Sequence, residues 1–148
     1  MIKLSVPGTL LYRDVVLRVV ASACKLVRSG TKAVQDTGQQ VDAEFENKVV
    51  SAVSEAFNNI AIHGYSGCAP GSVELEIEAG DDAITVVLSD SGRGYDPQSV
   101  EPRDPGTLPE SGMGLFIIDS FMDEVRYRSA EAPALRNVLT LKKWLVPP

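Results

Sequence analysis

Apolar residues recur along this chain with two different periods, and the switches between them divide it into elements. Ile2, Leu4 and Val6 alternate with Lys3 and Ser5, a period of two that predicts a strand over residues 2–6. Pro7-Gly8 ends it, and Thr9 stands where it can cap the next element. From Leu10 to about Ser29 the spacing turns helical, with Gly30 as the stop signal. Its apolar positions (Leu11, Val15, Val16, Val19, Val20, Ala23, Val27) exceed one narrow stripe, so the excess serves either the core or a partner surface. Residues 30–40 read as a polar connector. Asp42 then caps a second helix, with Glu44 and Glu46 in its first turn, opposite the positive end of the helix dipole. Val49, Val53, Phe57 and Ile60 form its apolar face at roughly 100° per residue, and Gly64 ends it.

The second half returns to a period of two. Val73, Leu75 and Ile77 alternate with Glu74, Glu76 and Glu78, as in a strand over residues 72–78 with one buried and one solvated face. Gly80-Asp81-Asp82 makes the turn, and Ile84 to Ser89 comes back as its partner. Residues 95–111, with Pro97, Pro102, Pro105, Gly106 and Pro109, follow neither period. A stretch of that length in a compact domain is a functional lid or a disordered segment. A third helix over about Met113 to Phe121 and strands over Val125–Arg128 and Val138–Leu145 complete the chain. Helices on one face of a mixed, mainly antiparallel sheet accommodate this order, an α+β domain spanning residues 1–148 without repeats.

Composition narrows the function classes. With 148 residues and 44% hydrophobic content, the chain can close one packed core, burying roughly 70% of its unfolded surface. Fourteen basic against 20 acidic residues give a net charge of −6, which argues against general nucleic-acid binding. No apolar run approaches the roughly 20 residues of a membrane helix. Met1 leads directly into the first strand without a signal-peptide core, so a cytoplasmic location is expected. Cys24 and Cys68 lack disulfide or zinc spacing and are expected to be reduced and semi-buried.

Three segments carry candidate chemistry. Within Ser54-Glu55-Ala56-Phe57-Asn58-Asn59-Ile60-Ala61-Ile62-His63-Gly64-Tyr65, Glu55 and Asn59 lie four residues apart and share a helical face. A carboxylate beside a neutral oxygen ligand suits a base next to a metal-bound phosphate, and it equally suits an ordinary polar helix face. Asp90-Ser91-Gly92-Arg93-Gly94 follows the strand Ile84-Thr85-Val86-Val87-Leu88, and Gly112-Met113-Gly114-Leu115 opens an apolar helix. There glycines bring backbone N–H groups against an anion at a helix start, with Ser111 as a capping candidate. No third glycine of a dinucleotide fingerprint and no Walker A Gly-Lys-Ser/Thr is present.

In this order and spacing the three segments resemble the N-box and the first and second glycine boxes of the GHKL ATPases. That superfamily includes gyrase, the heat-shock chaperone, histidine kinases and the mismatch-repair ATPase. The Ser-Glu-Ala-x-x-Asn-x-x-x-His-Gly-Tyr wording and Ser111-Gly112-Met113-Gly114 look most like the bacterial anti-sigma factor serine kinases, over Ile2 to about Leu145. The resemblance implies the two-layer Bergerat sandwich, with residues 95–111 as the ATP lid. It implies Glu55 as the general base and Asn59 as the ligand of Mg2+. Asp90 would accept a hydrogen bond from the adenine amino group. Further ATP contacts would come from Gly92, Gly94, Ser111, Gly112, Met113, Gly114, Leu115 and Asn137.

Arg18 matches an arginine through which such kinases contact partners, and is otherwise a solvated helix arginine. His63, the only histidine, reads as structural. One departure stands out: the family carries Gly-Thr before its final strand, where this chain has Arg136-Asn137.

The function implied is an ATP-binding anti-sigma factor with serine/threonine-protein kinase activity. It would sequester a sigma factor and phosphorylate an anti-anti-sigma antagonist of the STAS type, with homodimerisation as a further expectation. The alternatives are a nucleotide-dependent binding module of the same fold with little or no kinase activity, a detached histidine-kinase ATPase domain, and a small α/β scaffold.

Overall fold

The computed structural model describes residues 1–27, 34–65, 67, 69–93, 110–130 and 136–147. Five strands form one sheet: β1 (Ile2–Pro7), β2 (Ser72–Ala79), β3 (Ala83–Asp90), β4 (Glu124–Arg128) and β5 (Asn137–Trp144). Their spatial order is β1-β2-β3-β5-β4, and every neighbouring pair is antiparallel, where a mixed sheet had been allowed for. Register carries the alternation seen in sequence across the sheet. One row runs Leu4, Leu75, Leu88, Leu139 and Tyr127, and the next Ile2, Ile77, Val86, Leu141 and Val125. A third starts apolar at Val6 and Val73 but ends at Asp90 and Asn137. This apolar face supplies much of the core, while Glu74, Glu76 and Glu78 are exposed on the other face.

Helices cover the apolar face. After a 3-10 turn at Leu10–Tyr12, helix α1 runs Arg13–Cys24 and buries Val16, Val20, Ala23 and Cys24. Thr9 makes no side-chain capping bond. The helix ends ahead of the expected Ser29, as Leu26 and Val27 donate their N–H groups to Ala23 and Cys24 three residues back. Helix α2 (Val34–Asn58) buries Phe45, Val49, Ala52, Val53, Ala56 and Phe57 and packs against α1 and also against α3 (Glu110–Phe121). It starts eight residues before Asp42, so that residue is interior to the helix and no N-cap, and residues 34–40 are helical where a connector was expected. Apolar periodicity marks only the length of a helix that packs. The Gln- and Asp-bearing extension has no such stripe and left no trace. Likewise α3 begins at Glu110, which puts Ser111 in its first turn instead of at its cap.

At Asn59 the second helix widens into a π-helical segment, Asn59–Gly64, closed by the Tyr65 N–H donating to the Ile60 carbonyl at 3.1 Å. Such segments are rare and concentrate at functional sites. Among the described residues no helix is long and apolar enough to cross a membrane.

Candidate functional site

Among the described residues two polar side chains are buried, Asp90 (5% exposed) and Asn137 (2%), and they are neighbours across the β3–β5 ladder. Burying them is tolerable because they satisfy each other. Asp90 Oδ1 accepts from the Gly92 N–H at 2.9 Å, a turn built on an aspartate two residues back, and from Asn137 Nδ2 at 3.1 Å. Asn137 Nδ2 also donates to the Gly92 carbonyl at 2.9 Å, and its Oδ1 accepts from the Ala130 N–H at 2.8 Å. The donors and acceptors around the amide allow only this orientation of its oxygen and nitrogen.

Asp90 faces an open cleft of ≈ 370 Å³ between the sheet and the helices, lined also by Ala56, Asn59, Ile60, Gly64, Arg93, Ile118, Tyr127 and Leu139. Its make-up is that of a small-molecule site, a mostly apolar wall with a few convergent polar groups. Asn59 and Asp90, from two of the three segments singled out in sequence, meet here.

The end of the π-helical segment is pinned to the loop after β3. Gly64 accepts the Arg93 N–H at 2.6 Å, and a Cβ on Gly92 would come within 2.7 Å of the Gly64 carbonyl carbon. Gly92 is therefore a glycine because backbone meets backbone there. Its φ is not positive; among the described glycines a positive φ occurs at Gly67. Tyr65 completes the clamp: its hydroxyl donates to the Ser72 carbonyl at 2.8 Å and accepts from the Ser91 N–H at 3.1 Å. Its ring fills a niche between Gly8 and Gly71, where added Cβ atoms would lie within 2.6 Å and 2.8 Å of its atoms.

Glu55 projects elsewhere. A Cβ on Gly114 would stand 2.7 Å from Glu55 Oε2 and 3.5 Å from its Cδ, so the carboxylate rests on the glycine of α3. The structure thus joins the first segment to the third as well as to the second. Leu115 is half-buried beside Gly114. Ser111, Gly112 and Met113 sit in the first turns of α3 and are described in their backbone only, while Gly94 and residues 95–109 of the expected lid lie outside the described residues.

Arg18 does not line the cleft; it is exposed on α1 and ion-paired with Asp14 at 3.3 Å. On the same helix Val15 is exposed, as is Leu11 just before it (82%), so part of the apolar excess noted in sequence faces solvent. His63 is exposed and makes an interaction of its own. Cys24 is buried and unbridged, its thiol pushed up to about 12 by burial and secondarily by the Glu46 carboxylate. Cys68 lies outside the described residues. Among the described residues no group of three or more His, Cys, Asp or Glu is placed to hold a metal. Tyr127 and Ile118 were missed in sequence, because they enter the cleft through register and helix packing and carry no local motif, while Arg93 stands inside the first glycine box but had been given no role.

Comparison with known proteins agrees with this fold. A family model described as a histidine kinase-like ATPase domain matches residues 20–143. An anti-sigma F factor of Clostridium beijerinckii is 36% identical over 100 residues, covering 65% of this chain and 70% of that protein. The serine-protein kinase RsbW of Staphylococcus epidermidis is 30% identical over 142 residues, covering 89% and 88%. Among solved structures, the histidine kinase domain of a blue-light activated histidine kinase from Erythrobacter litoralis superposes with a TM-score of 0.51 at 19% identity. That match covers 69% of this chain and 45% of the other, and it supports the fold alone.

Proposed function

The chain belongs to the family of histidine kinase-like ATPase domains, and from that membership we propose that it is an ATP-binding anti-sigma factor with serine/threonine-protein kinase activity. The observation that carries the nucleotide site is the meeting of Asn59 and the buried Asp90 in one cleft, with Glu55 alongside on Gly114.

The residues present fit a purine nucleotide. Asp90, held by donors of the protein, is an acceptor on an otherwise apolar wall; it selects a 6-amino purine over guanine, which carries an oxygen there. Ile60, Ile118 and Leu139 supply the apolar surface for the ring. The backbone N–H groups left free at the start of α3, at Glu110 to Gly112, would take phosphate oxygens, whereas those of Met113 and Gly114 are engaged in the helix that begins at Glu110. Asn59 is the protein ligand of Mg2+, which needs few protein ligands when phosphates and water supply the rest. Bound Mg-ATP supplies the phosphoryl group.

Glu55 is the base that takes the proton of the acceptor serine or threonine hydroxyl. Gly114 keeps the space its carboxylate occupies. The acceptor is an anti-anti-sigma protein of the STAS type, and the sequestered partner is a sigma factor. The relatives named anti-sigma F factor and serine-protein kinase RsbW support this assignment. Exposed Leu11, Val15 and Arg18 on and before α1 form the proposed partner face, which a second copy of the chain could also use.

Calorimetric titration with ADP, with and without Mg2+, tests the site. Binding enhanced by Mg2+ in the wild type and weakened about tenfold or more in Asn59→Ala is expected. A Glu55→Ala protein that still binds ADP but no longer phosphorylates the antagonist establishes the base. Wild-type protein that binds no nucleotide overturns the proposal.

A further inference from the structure

The position at which this chain departs from the family's wording is also the most thoroughly bonded side chain of the site. Asn137 is 2% exposed. Its single amide joins three segments: the end of β3 through Asp90 Oδ1 (3.1 Å), the loop beyond it through the Gly92 carbonyl (2.9 Å), and the chain after β4 through the Ala130 N–H (2.8 Å). Both donor hydrogens and the oxygen are thereby engaged within the protein.

We infer that Asn137 touches no nucleotide and is the positioning residue for base selection, acting through Asp90. The inference rests on the nucleotide reading above. Asn137 and the Gly92 N–H both bond the same oxygen, Oδ1. Two donors on one oxygen fix the rotation of a carboxylate about its Cβ–Cγ bond, and so fix where Oδ2 points. Asp90 is an acceptor on the cleft wall, and Oδ2 is the atom assigned to the 6-amino group of the base.

A hydroxyl at position 137 has one hydrogen to give and can serve Asp90 or the Gly92 carbonyl. The amide serves both at once. It also holds the Gly92 carbonyl, in the loop that packs on Gly64, the last residue of the segment that begins with Asn59. One side chain thus sets the base acceptor and the loop that packs on Gly64 beside it.

The test compares two ligands on the full chain: ADP, and purine riboside 5′-diphosphate, which lacks only the 6-amino group. Wild type should bind ADP about tenfold or more tightly than the analogue, as a buried hydrogen bond to a charged group allows. In Asn137→Leu, which keeps the side-chain shape but removes both donors, that preference should fall to about twofold or less. Affinity for the analogue should change much less. Asn137→Thr, which restores the family's wording at this position, keeps one donor and should recover part of the preference.

Circular dichroism and thermal melting establish that the variants are folded. Should Asn137→Leu be unfolded, Asn137→Ala and Asn137→Thr carry the comparison. Loss of affinity for both ligands in equal proportion would show a merely structural role and overturn the inference, leaving the nucleotide site standing. Wild type that binds neither ligand would overturn the nucleotide reading and this inference together.

Discussion

A methyl group added at Gly114 would meet the far end of a flexible side chain, whereas at Gly92 it would meet the backbone of Gly64. The two glycines of similar motif wording therefore predict different failures. Gly114→Ala should leave the melting temperature within a few degrees of wild type, because Glu55 can swing aside and alanine favours the helix by up to about 1 kcal/mol. Phosphoryl transfer in a single-turnover assay should fall about tenfold or more while ADP affinity holds, since the displaced carboxylate is the proposed base. Gly92→Ala should cost about 1–3 kcal/mol in chemical denaturation, as overpacking against an immobile neighbour does.

Cys24 makes a third case at this scale. Its thiol is raised from 9.0 to about 12 by burial first and Glu46 second. The folded state thus holds the proton more tightly than the unfolded chain. The corresponding stability is present below pH 9, declines as pH rises toward 12, and is missing from a Cys24→Ala variant. Native Cys24 should resist a thiol reagent at pH 8 and react after unfolding. Sequence spacing suggested reduced cysteines, but only burial shows Cys24 to be inert.

The segment from α2 through the π-helical turn to β2 is the element on which the site hangs. The identities of Glu55, Asn59, Gly64 and Tyr65 were legible in its sequence; the change of helical pitch at Asn59 was not. Pitch is set by what the far end must reach, here the Arg93 N–H for Gly64 and the Ser72 carbonyl and Ser91 N–H for Tyr65. Tyr65→Phe removes both hydroxyl bonds and keeps the ring in its niche. It should lower stability by about 1–3 kcal/mol and weaken ADP binding in the same protein. Denaturant titration and calorimetry read the two effects. Unchanged stability would mean that the hydroxyl plays no part in the clamp.

Across the whole molecule, one sheet face, α2 with its π-helical end and α3 make the site, and the exposed residues of α1 stand outside it. Leu11 is 82% exposed, so Leu11→Glu should shift stability by no more than about 0.5 kcal/mol. It should nonetheless weaken association with a sigma factor or a second copy, as read by sedimentation velocity. If association survives Leu11→Glu and Arg18→Ala together, the partner face lies elsewhere. ADP binding should be unaltered in both variants, because neither residue lines the cleft.

The sequence by itself determined the strands, most of the helices and the residue types of the motifs. Burial at period 2 or 3.6 is a local property, written wherever an element packs. It could not mark Val34 to Gln40 of α2, where no apolar stripe exists, nor the start of α3 at Glu110. Tertiary structure alone decided which residues share the cleft. Asp90 and Asn137 are neighbours because β3 and β5 pair in one register. A slip of β5 by one residue would send Asn137 to the solvated face and leave Asp90 without it. Tyr127 and Ile118 join them from β4 and α3, and Glu55 finds Gly114, through contacts between segments far apart in the chain. Such pairings depend on how rows and helices stack, and no local spacing encodes them.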